Sequence, residues 1–380
     1  MFTLGEEALA IRDMARDFAA EKLAPHAVEW DERKHFPVAE MREGAALGMG
    51  GVYIKEDVGG SGLTRLDAAV IFEALATGCP TVAAYMSIHN MCAWMVDTFG
   101  NEDQRHAWLP ALVSMEKCAS YCLTEPGAGS DAAALATRAE LNGNHFVLNG
   151  QKQFISGAGN ADDFYVVMAR TGGPGPKGIS TFVVEGGTPG LSFGANEKKM
   201  GWNAQPTRAV IFDNCRIPAS NMIGNEGDGF KIAMAGLDGG RLNISACSVG
   251  GAQAALDKAL AYANERKAFG KKLNEFQALQ FRLADLSIEL EAARLYLYAA
   301  AAAYDRNDAD RTQKIAGAKR FVTDTGFDVA NGALQILGGY GYLSEYGVEK
   351  IVRDLRVHQI LEGTNEIMRL IVARALVAAS

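Results

Sequence analysis

The chain has 380 residues, 48 % hydrophobic and 22 % charged, with a net charge of −8. This length and balance suit a folded protein of two or three domains around a large core. The acidic balance argues against a nucleic-acid or anionic-lipid surface, and no run of apolar residues is long enough to span a membrane.

The opening residues mix acids with bases and lack an apolar stretch, so they read as neither a signal nor a transit peptide. The cysteines (Cys79, Cys92, Cys118, Cys122, Cys215, Cys247) form no C-x-x-C pair, which suits reduced thiols in the cytoplasm. The histidines show no metal-ligand spacing, so no metal is expected.

Thr3 and Glu6 have capping-box spacing, and Leu4, Ala8, Ile11, Met14 and Phe18 follow at helical spacing as far as Pro25. Thr64 and Asp67 open a second helix. Residues 81–99 are apolar almost all round, as in a buried helix, and Asn101 caps a short helix ending before Met115. Near Ala119 the apolar pattern changes to alternation, and strands are expected at 121–124, 139–141, 145–148, 153–155, 164–168, 180–184 and 209–212. Asn142-Gly143 and Asn149-Gly150 have hairpin-turn chemistry, which argues for an antiparallel sheet. The run 172–178 is a surface loop by composition.

Helices return after Gly229, with one expected near 251–266. Asn274 and Gln277 have capping-box spacing. From there Phe276, Leu279, Leu283, Leu286, Leu290, Ala293, Leu297, Ala300 and Tyr304 form a heptad seam. A further helix runs over 312–337, and another begins near Thr364 or Asn365. The expected fold is mainly α with a central antiparallel β domain. Its divisions are a helical domain at 1–116, the β domain at 117–222 and a four-helix bundle domain at 223–380.

Four segments carry chemistry. TEPGAGSD (124–131) fits the loose dinucleotide fingerprint, but strands and Asn-Gly turns follow it, so a nicotinamide-binding parallel sheet is ruled out. A glycine-rich loop in an antiparallel sheet still presents backbone N–H groups to a polar-edged ring or a phosphate. Phe154 and Ser156 put an aromatic ring and a hydroxyl on one face of a strand. Arg266 closes a helix, where it either pairs with the dipole or holds a pyrophosphate. Glu362 lies between two apolar periodic runs, just before a helix start. It reads either as an acid satisfying the helix dipole or as a general base in an apolar pocket.

TEPGAGSD (124–131), ERKAFGKKLNEFQ (265–277), QILGGYGY (335–342) and QILEGTNE (359–366), in this order, resemble the acyl-CoA dehydrogenase family over nearly the whole chain. The resemblance implies FAD, an acyl-CoA substrate, electron-transferring flavoprotein as acceptor and a homotetramer. It implies a flavin site formed by Tyr121, Leu123, Thr124, Gly129, Ser130, Phe154, Ile155 and Ser156, with Phe154 and Ser156 where Trp and Thr are usual. Arg266, Phe269, Phe276 and Gln277, with Gln335, Ile336, Gly338 and Gly339 of a neighbouring copy, would hold the rest of the cofactor. Thr364, Asn365 and Glu366 would complete that site. Ser130, Asp238, Gly239, Gly240, Arg241, Gly363 and Arg374 match acyl-CoA contacts, and Glu362 matches the catalytic base. Some relatives place the base directly before the arginine that matches Arg241. Here that neighbour is Gly240, which cannot act as one.

Segments 201–215, 237–248 and 356–374 look closest to the members that act on isobutyryl-CoA in valine degradation. A short branched acyl-CoA is therefore the expected substrate. Butyryl-CoA, 2-methylbutyryl-CoA and an oxygen-reactive oxidase on the same fold stay open. A rival of another class is a non-catalytic scaffold that binds flavin or acyl-CoA.

Overall fold

A computed structural model describes residues 4–160 and 162–378. The N-terminal helices are α1 (Glu6–Phe18), α2 (Ala27–Arg33), α3 (Val38–Ala46), α4 (Arg65–Gly78), α5 (Pro80–Phe99) and α6 (Glu102–Val113). Thr3 lies outside the described residues. Gly5 caps α1, so Glu6 opens the helix instead of closing a capping box. The short α2 and α3 are absent from the sequence reading. The expected start of α4 forms, and it does so as a capping box: Asp67 N–H donates to Thr64 Oγ1 at 3.1 Å, and Thr64 N–H donates to the Asp67 carboxylate at 3.0 Å. Asn101 and Gln104 close the same box on α6.

As expected, α5 is buried on nearly every side, so its polar groups need internal partners. The His89 Nδ1 accepts from Ala119 N–H at 3.0 Å, which leaves Nε2–H to donate to Leu112 O at 2.8 Å. Burial pushes this imidazole down to about 4, and that of His358 down to about 3. Both bind a proton more readily unfolded than folded. Their contribution is therefore complete above the ordinary histidine pKa and is lost as pH falls toward 4, on the order of 3 kcal/mol for each. The denaturation midpoint should drop steeply between pH 6.5 and 4.5, and less steeply in His89→Gln. An unchanged slope in that variant would contradict this source of acid lability.

The central sheet comprises β1 (Ala119–Cys122), β2 (Arg138–Asn142), β3 (His145–Ser156), β4 (Phe164–Arg170), β5 (Ile179–Glu185), β6 (Leu191–Phe193), β7 (Thr207–Pro218) and β8 (Met222–Ile223). Its order is β6-β7-β3-β2-β4-β5-β8, with β1 also paired to β4. Most pairs are antiparallel, while β4 pairs in parallel with β1 and β2. Asn142 and His145 pair across a two-residue hairpin; its turn residues are Gly143 and Asn144, one position on from the expected Asn142-Gly143, with Gly143 at φ +63°. Asn149-Gly150 makes no turn. There β3 continues through a bulge, with the Gly150 φ at +147° where a Cβ would lie 2.5 Å from Thr137 Oγ1. The backbone freedom that marks an Asn-Gly hairpin serves a bulge equally well.

The chain then forms α7 (Gly229–Glu265), the small ribbon β9 (Lys267–Ala268) and β10 (Lys271–Lys272), α8 (Gln277–Asp305), α9 (Arg311–Leu337), α10 (Val348–Arg356) and α11 (Asn365–Ala378). One unbroken helix, α7, replaces the separate helix expected near 251–266. Its internal glycines read as breakers but serve packing. At Gly250 a Cβ would sit 2.0 Å from Glu73 O, so α7 crosses α4 at near backbone contact. The capping box expected at Asn274 does not form: Asn274 Nδ2 donates to Asn264 Oδ1, and Gln277 is the first residue of α8. The α8 seam is buried from Leu286 onward, at Leu290, Ala293, Leu297 and Ala300. One large core joins the N-terminal helices to α7–α10, and a smaller one lies within the sheet around Phe146, Tyr165, Phe182 and Phe212.

Candidate active site

Glu362 sits in the turn between α10 and α11 with φ at +55°, followed by Gly363 at +89°. A left-handed backbone is unfavourable for a residue with a Cβ and persists where neighbours over-determine it. Here two cations do so. Arg241 Nε donates to Glu362 O at 3.0 Å, and Lys319 Nζ donates to Gly363 O at 2.9 Å. The turn aims the carboxylate at α7, where Gly240 leaves room: a Cβ there would lie 2.6 Å from Glu362 Oε2.

That oxygen has essentially no accessible surface and, among the described residues, no hydrogen-bond partner. Burial pushes the Glu362 carboxyl up to about 7, against the opposing charges of Lys319 and Arg241. A buried carboxyl without a donor, titrating near neutrality, is suited to accepting a proton.

Two adjoining cavities meet at this residue. The smaller, about 290 Å³, has an apolar wall of Ile88, Met91, Tyr121, Met234, Leu237 and Ile367, with Arg241 also lining it. The larger, about 620 Å³, has aromatic walls at Phe154 and Trp202. It carries hydroxyls from Thr124, Ser156, Thr207 and Thr364, and a basic end at Lys199, Arg353 and Arg356. Thr124, Gly129, Ser130, Phe154, Ser156, Glu362 and Gly363 line both cavities, whereas Tyr121, Leu123 and Ile155 line only the smaller.

Phe154 reaches the cavities through a second irregularity in β3, between Lys152 and Ile155. Its φ is +60° and it remains 63 % exposed, so the bulge turns the ring out of the sheet and into the cleft. The glycine-rich loop is anchored from behind. Lys152 Nζ, fully buried, donates to Glu125 Oε1 at 2.6 Å and to Leu123 O at 3.1 Å. Glu125 also accepts from the N–H groups of Ala136 and Thr137.

Trp202 is a cleft residue to which sequence reasoning gave no role, although the segment around it was noted. With φ at +55°, its N–H donates to Asp354 Oδ1 at 2.6 Å, and its indole N–H donates to His358 Nε2 at 3.2 Å. His358 then passes its Nδ1–H to Ser248 Oγ at 2.7 Å. No local signal marks Trp202, because every partner that holds it lies on another element.

Other residues implied by the resemblance lie elsewhere. Arg266, Phe269, Phe276, Gln277, Gln335, Ile336, Gly338, Gly339 and Arg374 line neither cavity. Arg266 stacks over the Tyr340 ring at 5.4 Å, which joins the end of α7 to the end of α9, and Phe269, edge-on to Phe276, is 96 % exposed. The Asn365 side chain turns inward to Lys319, Thr323 and Asp324, while Glu366 faces out and pairs with Arg369. Asp238 binds Arg241 and Thr312, and Gly239 packs against the Arg65 guanidinium.

Family models for the N-terminal, middle and C-terminal domains of acyl-CoA dehydrogenases match residues 5–116, 120–215 and 227–377. The chain belongs to the acyl-CoA dehydrogenase family. It is 57 % identical to the mitochondrial isobutyryl-CoA dehydrogenase of Bos taurus, over 98 % of this chain and 89 % of that protein. The solved butyryl-CoA dehydrogenase of Megasphaera elsdenii superposes with a TM-score of 0.95 at 39 % identity, covering 99 % of this chain and 100 % of that one. An FAD complex of PigA superposes with a TM-score of 0.95 at 30 % identity, covering 100 % of both chains. This acyl-CoA dehydrogenase is thus a flavoprotein that uses FAD. Its larger cavity suits that group, with aromatic walls for a flat ring, hydroxyls for polar ring edges and a basic end for an anionic tail. Among the described residues no helix is long and apolar enough to cross a membrane.

Proposed function

We propose that this dehydrogenase converts a short branched acyl-CoA, isobutyryl-CoA first, to the 2,3-enoyl-CoA with Glu362 as the base. The observation that carries the reading is the buried, unpartnered Glu362 Oε2 at the junction of the two cavities. A thioester α-proton is weakly acidic, so its removal needs a base that has lost its water and a donor at the carbonyl oxygen. The Glu362 N–H has no acceptor among the described residues and would serve that oxygen. Met91, Met234, Leu237 and Ile367 would strip water from the acyl chain and press its α-carbon toward the carboxylate. Phe154 and Trp202 would hold the ring, with Thr124 and Ser156 at its polar edge. When bound, FAD supplies a hydride acceptor for the β-hydrogen.

The reading includes electron-transferring flavoprotein as acceptor and a homotetramer in which Gln335, Ile336, Gly338 and Gly339 of one copy complete the cofactor site of another. The position of these residues outside the two cavities, together with the exposure of Phe269, supports the second point.

The small apolar cavity favours a short acyl chain. One methylene changes discrimination by only about 1–3 kcal/mol, so rates must choose among candidates. Anaerobic titration of the holoenzyme with isobutyryl-, butyryl- and 2-methylbutyryl-CoA should bleach the flavin fastest with isobutyryl-CoA. Fastest bleaching by butyryl-CoA would overturn the branched-chain assignment. Hydrogen peroxide formed in air with acyl-CoA alone would move the protein to the oxidases.

A further inference from the structure

Lys319 lies in the middle of α9 and is fully buried. Its ammonium meets two oxygens, Gly363 O and Asn365 Oδ1, each at 2.9 Å. Asn365 is itself fixed from the far side, where its Nδ2 donates to Asp324 Oδ1 at 2.6 Å and to Thr323 Oγ1 at 3.0 Å. Thr323 in turn donates to Lys319 O at 2.8 Å. No carboxylate lies within ion-pair distance of the ammonium among the described residues, and both of its anchors are neutral. A buried cation held this way is unfavourable unless a nearby negative charge compensates it.

The foremost negative charge facing it is Glu362, one residue before Gly363, with Asp324 and Glu366 contributing less. We infer that Lys319 is a positioning residue for the base: it fixes the Glu362–Gly363 turn through Gly363 O and Asn365, and it sets a positive charge behind the carboxylate. Arg241 grips the preceding carbonyl, so the two cations hold successive peptide units of one left-handed turn.

The groups facing this pair come from several elements. Arg241 and Cys247 of α7 and Tyr121 of β1 face Glu362. Arg241, Asp324 of α9 and Glu366 of α11 face Lys319, as does His358, which is buried and neutral. Burial lowers the Lys319 ammonium to about 8, and the opposing influence that comes first is Glu362. Lys319 likewise comes first among the charges that pull Glu362 down. The coupling is mutual: removing the ammonium should leave Glu362 harder to ionise.

The inference rests on Glu362 as the base, and the test separates the two claims. Holoenzyme carrying Lys319→Met, Lys319→Gln or Lys319→Arg is compared with wild type and Glu362→Gln by FAD content, by the pH dependence of anaerobic flavin reduction and by infrared titration of the Glu362 carboxyl. The infrared band is assigned by its absence in Glu362→Gln. In the two neutral variants the Glu362 midpoint should rise by about one pH unit, as expected when a nearby opposite charge is lost. Reduction at pH 7 should then fall about fivefold, from about half ionised to about a tenth, and recover partly at higher pH. Lys319→Arg should keep the midpoint near wild type. A neutral variant that folds, keeps FAD and shows the wild-type midpoint and pH profile overturns the inference. So does failure of both neutral variants to fold, since Lys319 would then support the fold and not the base. If Glu362→Gln itself still reduces flavin, the base assignment has failed instead.

Discussion

Glu362→Gln should fold, keep FAD and take up acyl-CoA while losing turnover by about 10⁴-fold, the scale of an essential proton acceptor. The substitution preserves shape and removes only the ability to accept the α-proton. It should also stabilise the protein above neutrality. The folded carboxyl titrates at about 7, above its ordinary value of 4.5. The folded state therefore binds this proton more tightly, and the Glu362 contribution to stability falls as pH rises through the window from 4.5 to 7, opposite in sign to that of the buried histidines. The cost of ionising the buried group is on the order of 3 kcal/mol. Glu362→Gln should accordingly melt higher than wild type at pH 8 and nearly level with it at pH 4.5. Equal melting at pH 8 would mean that the carboxylate is well solvated, and a solvated carboxylate is a poor base here.

Lys152→Met should cost about 3–5 kcal/mol of stability, the usual effect of removing one member of a buried ion pair. Glu125 is only 7 % exposed, and without Lys152 its charge would rest on two backbone N–H groups. The damage should reach the cofactor. Lys152 also holds Leu123 O, and the next N–H, that of Gln153, donates to Thr124 O at 2.8 Å. Loosening this corner moves Thr124 and Phe154 together, so FAD should wash out on gel filtration. The double variant Lys152→Met/Glu125→Gln should recover part of the loss, because no unpaired charge remains. A change below about 0.5 kcal/mol in Lys152→Met would show that the pair contributes nothing net.

Local chemistry made some of this legible in the chain. Thr64 with Asp67, and Asn101 with Gln104, are complete helix starts within four residues, and both form. Glu362 stood out because Gly363, Thr364 and Asn365 follow it, and the structure puts a backbone turn there that suits glycine. What stayed hidden depends on contacts distant in the chain. Lys319 looks like any helical lysine until α9 packs against the turn at 363–365. Trp202 is held by Asp354 and His358, 152 and 156 residues away. The glycines of α7 resemble breakers, and their purpose is visible only at the crossing with α4. Asn149-Gly150 supplies the unusual backbone that the sequence suggested, but β7 and Thr137 convert it into a bulge. The residues at the ends of α7 and α9 line neither of the two cavities at Glu362.

The central claim is that one carboxylate at the meeting point of the two cavities takes the α-proton. Its most direct test is anaerobic mixing of wild-type and Glu362→Gln holoenzyme with isobutyryl-CoA, following flavin bleaching. Wild type should bleach rapidly, with the rate rising as pH passes through about 7, while the variant binds the thioester and stays yellow. Bleaching of the variant at a rate near that of wild type would contradict the account.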